Sequence, residues 1–187
     1  MPIQKITREE ILSKSLDVFR QQGYYNTSMT DLANACGLQK GSFYHYFESK
    51  EALMKAILEN IRTYLNTQVF SIAFEENKDA SERLEKLLMR LYKALLSREG
   101  GCFIGKSTIE TAPHIPEFAE ILRGIFQDWT MALQRIYSER YAPKVALTIA
   151  QQTMMEFEGA VMMSNLFKDD TILKQAYERA MTRLTVG

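Results

Sequence analysis

TSMTDLANACGLQKGSFYHYFESK, residues 27–50, decides how the rest of the chain is read. Ser28 is a good helix N-cap. Asp31 stands three residues on, where a carboxylate can reach back to the cap's own N–H, as in a capping box with Asp in the usual Glu position. Leu32 and Ala33 give this helix an inward face. Gly37 follows Cys36 and can take the left-handed conformation that ends helices, and Leu38 plugs the turn. The spacing predicts a second helix of about two turns over 39–47, with Phe43 and Phe47 four apart and facing inward. A further helix opens at Ser49. Lys40, Ser42, Tyr44 and His45 are left on the outside.

That outward set suits DNA. Lys40 can meet a phosphate or a guanine edge, the Ser42 and Tyr44 hydroxyls can bond phosphates or bases, and His45 adds a donor. Gly41 keeps the start of the helix slim enough to enter a major groove about 12 Å wide. No Asp or Glu occurs from Leu32 to Phe47, so nothing on that face repels a phosphate backbone. Thr27 and Ser28 bring hydroxyls and free N–H groups to a helix start, a natural phosphate site. Lys50 sits in the first turn of its helix, against the dipole's preference for anions. That favours a nearby phosphate over a merely solvated lysine, and Lys5 is placed to reach another.

The run GYYNTSMTDLANACGLQKGSFYHYFESKEAL, residues 23–53, resembles the DNA-binding domain of TetR-type (TetR/AcrR) transcriptional regulators. The resemblance rests on G-x-x-x-T-[ST]-x-x-x-[IL]-A, then G-[LV]-x-[KR]-G-[ST]-[FL]-Y-x-[YH]-F, then SKEAL, all in register. Beyond that run it is one of length and helical layout. It implies an all-α fold with an N-terminal three-helix helix-turn-helix domain over 1–48. A C-terminal six-helix effector-binding and dimerisation domain follows over 49–187. The implied function is a repressor released from a palindromic operator in double-stranded DNA when a small molecule binds the C-terminal domain. On that reading Thr27, Ser28, Tyr46 and Lys50 anchor phosphates, while Thr30, Gln39, Lys40, Gly41, Ser42, Tyr44 and His45 face the groove.

Composition is compatible with this. The chain has 187 residues, 46% hydrophobic and 25% charged, as expected of one globular domain or a small one fused to a larger. Its net charge is zero, which counts against a DNA binder unless the contact surface is small. Two cysteines make neither a disulfide framework nor a zinc cluster and fit a reducing cytoplasm. The start MPIQKITREE has no signal-peptide core, and no run is apolar enough to span a membrane.

Thr7 with Glu10 forms a T-x-x-E box for a first helix over 7–22, with Ile6 and Ile11 as its staple. From Ser49 a long helix carries Leu53, Ile57, Leu58, Ile61 and Leu65 toward Phe70 or Phe74. Residues 75–81 read as a loop. Helices follow over 82–98, ended by Gly100-Gly101, and over 103–111, then from Pro116 to about Tyr137, from Pro143 to about Phe167, and from Asp169 or Asp170 to about Leu184. No β pattern and no internal repeat is present.

The last two helices are the expected homodimer contact. They mix large and small apolar residues, among them Ala150, Met154, Gly159, Met163, Leu166, Leu173 and Ala180. Met89, Tyr92, Phe103, Phe126, Trp129, Met131 and Met155 are candidates to line an adaptable effector cavity, against the plainer reading that they fill the core. Cys102, at a helix start with Lys106 one turn on, is either a thiol of lowered pKa that senses oxidants or electrophiles or a small buried packer. Catalysis is disfavoured. The only histidines are His45 and His114, a Cys102–His114 dyad would lack an orienting third group, and no metal-ligand spacing or phosphate-cradling glycine loop occurs.

Overall fold

The computed structural model describes residues 6–96 and 101–185. Among them the chain forms nine α-helices and no strand: α1 (Arg8–Gln22), α2 (Met29–Ala35), α3 (Lys40–Tyr44), α4 (Lys50–Tyr64), α5 (Ala80–Leu91), α6 (Phe103–Thr111), α7 (Pro116–Tyr137), α8 (Pro143–Phe167) and α9 (Thr171–Thr185). Lys5, and Gly100 at the expected end of the helix over 82–98, lie outside the described residues.

The local signals act as their chemistry requires. Thr7 and Ser28 each cap through a full capping box, with Glu10 and Asp31 closing the second hydrogen bond. Gly37 takes φ +69°. It ends α2 in a Schellman turn: its N–H donates to Asn34 O at 3.0 Å, and Leu38 N–H reaches back to Ala33 O at 2.9 Å. Ser49 caps α4 by accepting from Ala52 N–H, and Asp79 caps α5 by accepting from Glu82 N–H. Prolines open α7 and α8, where a missing N–H leaves no partner unsatisfied.

Two elements depart from the periodic reading. The helix over 39–47 is shorter than expected, because the N–H groups of His45 and Tyr46 turn to carbonyls three residues back, at 3.3 and 3.0 Å. The chain tightens there, yet Phe43 and Phe47 remain buried. The long helix after Ser49 does not run straight. It passes into a π-helical turn at Leu65–Val69 and a 3₁₀ turn at Phe70–Phe74. Thr67 and Ser71 hydroxyls donate to the carbonyls of Thr63 and Thr67, and Arg90 Nη1 donates to Gln68 O at 2.6 Å. The first two are the i−4 back-bonds that Thr and Ser make within helices, and the third ties α5 to the turn. A second π turn, Tyr92–Leu96, follows α5.

One hydrophobic core runs through the described residues, from Phe19, Phe43 and Leu53 by way of Leu58 and Leu122 to Leu133 and Tyr137. α7 is its axis, packing on α4, α5, α6 and α8, and α9 closes over α8. Two large polar side chains inside are tied. Tyr137 OH donates to Ala180 O at 3.1 Å, and the buried Arg83 guanidinium donates to Ala73 O at 2.8 Å and pairs with Glu139. α4 therefore begins beside α1–α3 and ends inside the larger bundle. It is clamped to α7 by Arg62, whose Nε lies 2.7 Å from Asp128 Oδ2.

Candidate nucleic-acid interface and effector cavities

α1 packs behind α2 and α4 and leaves one side of the α2–α3 pair free. On that side Thr30, Gln39, Lys40, Gly41, Ser42, Tyr44 and His45 are all exposed. Tyr44 is 43% accessible despite its ring. Seven of the residues expected to meet DNA are thus open to solvent, and six of them, from Gln39 to His45, lie within the carboxylate-free span between Leu32 and Phe47.

The expected phosphate anchors are placed differently. Ser28 is exposed, but its Oγ accepts from Asp31 N–H and donates to Asp31 Oδ2 at 2.6 Å. Thr27 is buried and its hydroxyl donates to Gly23 O at 2.7 Å. Lys50 Nζ donates to Tyr24 O at 2.9 Å and Thr27 O at 3.0 Å and lies 4.3 Å from the centre of the Tyr24 ring. Its ammonium thus supplies positive charge to carbonyls of the α1–α2 turn. Tyr46 is half-buried, with its hydroxyl on Ile6 O at 3.4 Å.

The expected effector residues divide among three concavities. Cys102, Lys106 and Phe126 line a cavity of about 570 Å³ between α6, α7 and α8. Phe103 lines another of about 450 Å³ between α1, α4 and α6. Met89 and Tyr92 line a groove of about 260 Å³ beside α9. Trp129 lines none of these three. It is buried and stacks on Phe126 with ring centres 6.4 Å apart. Met155 and Met131 point outward and line none of them either. On a helix, Met155 falls about 200° from Phe157, so when Phe157 enters the core Met155 must leave it.

Cys102 caps α6, accepting from Gly105 N–H at 3.4 Å, and its thiol donates to Glu158 Oε1 at 3.2 Å. Burial first, and then the neighbouring Glu158 charge, push this thiol well up from its ordinary range. That is opposite to the lowering expected at a helix start, because the desolvated site penalises a thiolate more than the short helix rewards it. Lys106, expected to assist, turns its Nζ to Arg20 O at 2.9 Å. The sensor reading of Cys102 is therefore corrected to that of a buried cap. His114 lies elsewhere, edge-on to the Tyr25 ring at 6.4 Å. Among the described residues no group of three His, Cys, Asp or Glu side chains is arranged to hold a metal ion, and no helix is long and apolar enough to cross a membrane.

One set of contacts had no signal in the sequence. Besides the Lys106–Arg20 bond, Glu110 Oε1 accepts from Tyr25 N–H at 3.0 Å. Gly23, at φ +84°, makes room for that carboxylate, since a Cβ there would stand 2.9 Å from it. Tyr24 OH donates to Glu51 at 2.9 Å while its ring meets Phe118 edge-on at 5.5 Å. α6 and α7 therefore grip the α1–α2 turn, through partners 85 or more residues apart in the chain for α6. Separations of that kind leave no local pattern.

A three-helix unit with an exposed, carboxylate-free helix-turn-helix face, seated on a helical bundle with cavities, defines a DNA-binding transcription regulator. Residues 11–57 match the family model of bacterial regulatory proteins of the tetR family, and residues 80–179 match that of the C-terminal domain of LmrA/YxaF-like transcriptional regulators. The chain belongs to the TetR family. It is 28% identical to the HTH-type transcriptional repressor DhaR of Mycobacterium sp. (strain GP1), over 90% of this chain and 87% of that one. The fold is shared with a TetR transcriptional regulator from Legionella pneumophila, with TM-score 0.86, 21% identity and coverage of 96% and 97% of the two chains. It is also shared with AibR, solved with isovaleryl coenzyme A and operator DNA, with TM-score 0.65, 20% identity and coverage of 91% and 95%.

Proposed function

We propose that this protein is a homodimeric, cytoplasmic repressor that holds a palindromic operator through paired α3 helices and lets go when a small molecule enters the part C-terminal to residue 48. The observation that carries this reading is mechanical. The exposed reading face stands on an α1–α2 turn gripped by α6, and α6 is also a wall of two of the cavities. A ligand that shifts α6 acts on Arg20 O and Tyr25 N–H and so on the seat of the reader. A differential affinity equivalent to about 1–3 kcal/mol suffices for a modest switch. AibR, solved with both isovaleryl coenzyme A and operator DNA, supports the pairing of ligand and DNA on this fold.

On this reading Thr30, Gln39, Lys40, Gly41, Ser42, Tyr44 and His45 meet the groove, and Ser28 and Tyr46 lie toward the phosphates. Thr27 and Lys50 position the turn instead. Two copies joined along α8 read two half-sites if their α3 helices stand about 34–36 Å apart, one turn of duplex. The outward face of α8 carries Met155, Gly159, Met162, Met163 and Leu166. On α9 the expected contact residues Leu173 and Ala180 are used up in the core of the single chain.

The test is fluorescence anisotropy with DNA from around the protein's own gene. Lys40→Ala should weaken binding and lower the slope of log affinity against log salt by about one. No binding by the unaltered protein at low salt would end the reading.

A further inference from the structure

The cavity between α6, α7 and α8 has a size typical of small-molecule sites, roughly 300–1,000 Å³. Phe126, Ile109 and Met162 give it apolar walls, and one carboxyl, that of Glu158, stands among them. Glu158 is held closely. A Cβ at Gly105 would come 2.7 Å from its Oε2, so the bare α6 backbone is what admits it. Its Oε1 accepts from the Cys102 thiol, a weak donor. Among the described residues no Lys, Arg or His forms an ion pair with it. Lys106 lines the same cavity, but its ammonium is turned to Arg20 O. Beside it, Gly159 has nothing within 4 Å of where a Cβ would stand, so the cavity opens there onto the outward face of α8. A carboxyl set in an apolar cavity with one weak donor and no counter-ion is poorly compensated in its charged form. A ligand cation supplies what is missing.

Resting on the reading of an effector-released regulator, we propose that this cavity takes a small amine: an ammonium group at Glu158 Oε1 and Oε2, and an aromatic or alkyl body against Phe126, Ile109 and Met162. A carboxylate ligand is repelled there, and a neutral one gains only the apolar contact. Because Glu158 touches α6 at Cys102 and Gly105, an arriving ammonium pulls on the N-terminal turn of the helix whose next turns hold the reader.

Phenylbutylamine, phenylbutanol and phenylbutyrate present one body with three different ends. Titrated calorimetrically into the full-length protein, the amine should bind tighter than the alcohol by about tenfold or more, as a charge-assisted contact gives, and phenylbutyrate weakest. Glu158→Gln should bring the amine down to the level of the alcohol. Phe126→Ala, which removes an apolar wall, should weaken all three, with circular dichroism and light scattering checking fold and assembly. Equal binding of amine and alcohol, an amine preference that survives Glu158→Gln, or no amine binding because a second copy fills the cavity would each overturn the proposal. Anisotropy on the same samples separates it from the reading beneath it. DNA binding without an amine preference overturns the ligand class and leaves the regulator standing. An amine preference without DNA binding supports the ligand class and overturns the regulator.

Discussion

Glu158 places a carboxyl where ionisation is unfavourable, and its effect on stability has a definite sign. Burial raises it above the usual 4.5, and the Cys102 bond offsets only part of that. A carboxyl raised in the folded state keeps its full contribution below the unfolded value and loses it as pH rises through the folded one. Glu158→Gln should therefore match the unaltered protein below about pH 4.5 and melt at a higher temperature than it at pH 7.5. Thermal melts at the two pH values check it, and an advantage independent of pH would contradict it. At this scale the sequence is legible where the partner is local. Thr7 with Glu10, Ser28 with Asp31, and Gly37 after Cys36 can each be read within a span of four residues. Lys50 and Cys102 mislead because the carbonyls of the α1–α2 turn and Glu158 are brought to them by folding, and Thr27 because its hydroxyl turns back to Gly23 O instead of outward. A hydroxyl, an ammonium and a thiol at helix starts look the same in one dimension whether they face solvent or a neighbour.

Among elements, the contact of α4 with α7 joins the reader to the bundle beside the α6 grip on the α1–α2 turn. Gly124 lies on α7 under the Arg62 guanidinium, and a Cβ there would stand 2.5 Å from it. The guanidinium is held by Asp128, which also accepts from Asn66 Nδ2 at 2.9 Å. Gly124→Ala should dislodge Arg62 and, despite the better helix propensity of Ala, lower stability by roughly 1 kcal/mol. Arg62→Ala should remove the conflict, so that the double variant loses less than the sum of the singles, a coupling of about 0.5–1 kcal/mol. Strict additivity in denaturant melts would show that the guanidinium moves aside freely. Helix order and most helix limits are readable because the apolar spacing over 116–137 and the prolines at 116 and 143 are strong, local signals. The short end of α3 and the break after Tyr64 are not, since both depend on how carbonyls find donors once the bundle has closed.

For the whole molecule the proposed dimer makes a demand on one surface. The outward face of α8 exposes Met155 and Leu166 at 59% and 69%, and neither supports the core of the single chain. Met155→Glu with Leu166→Glu should leave the Tm of the monomer fold nearly unchanged, shift the mass in light scattering from two chains to one, and weaken operator binding; a persistent dimer would move the contact elsewhere. The pairing of helices can be expected from the sequence, but the facing residues cannot, because Leu173 and Ala180 read equally well as core or contact. The π turn at Leu65–Val69 has a consequence for chain length. Such a turn holds one residue more than an α turn, and each residue added rotates the downstream chain by about 100°. Excising Thr67 should let the helix close up as regular α while Leu65 and Phe70 keep their sides. Excising Glu59, well before that turn, should throw every later side chain off its face. The first shortened chain is expected to melt cooperatively and the second to remain unfolded by circular dichroism, marking one place inside a packed helix where the length of this protein is free to change.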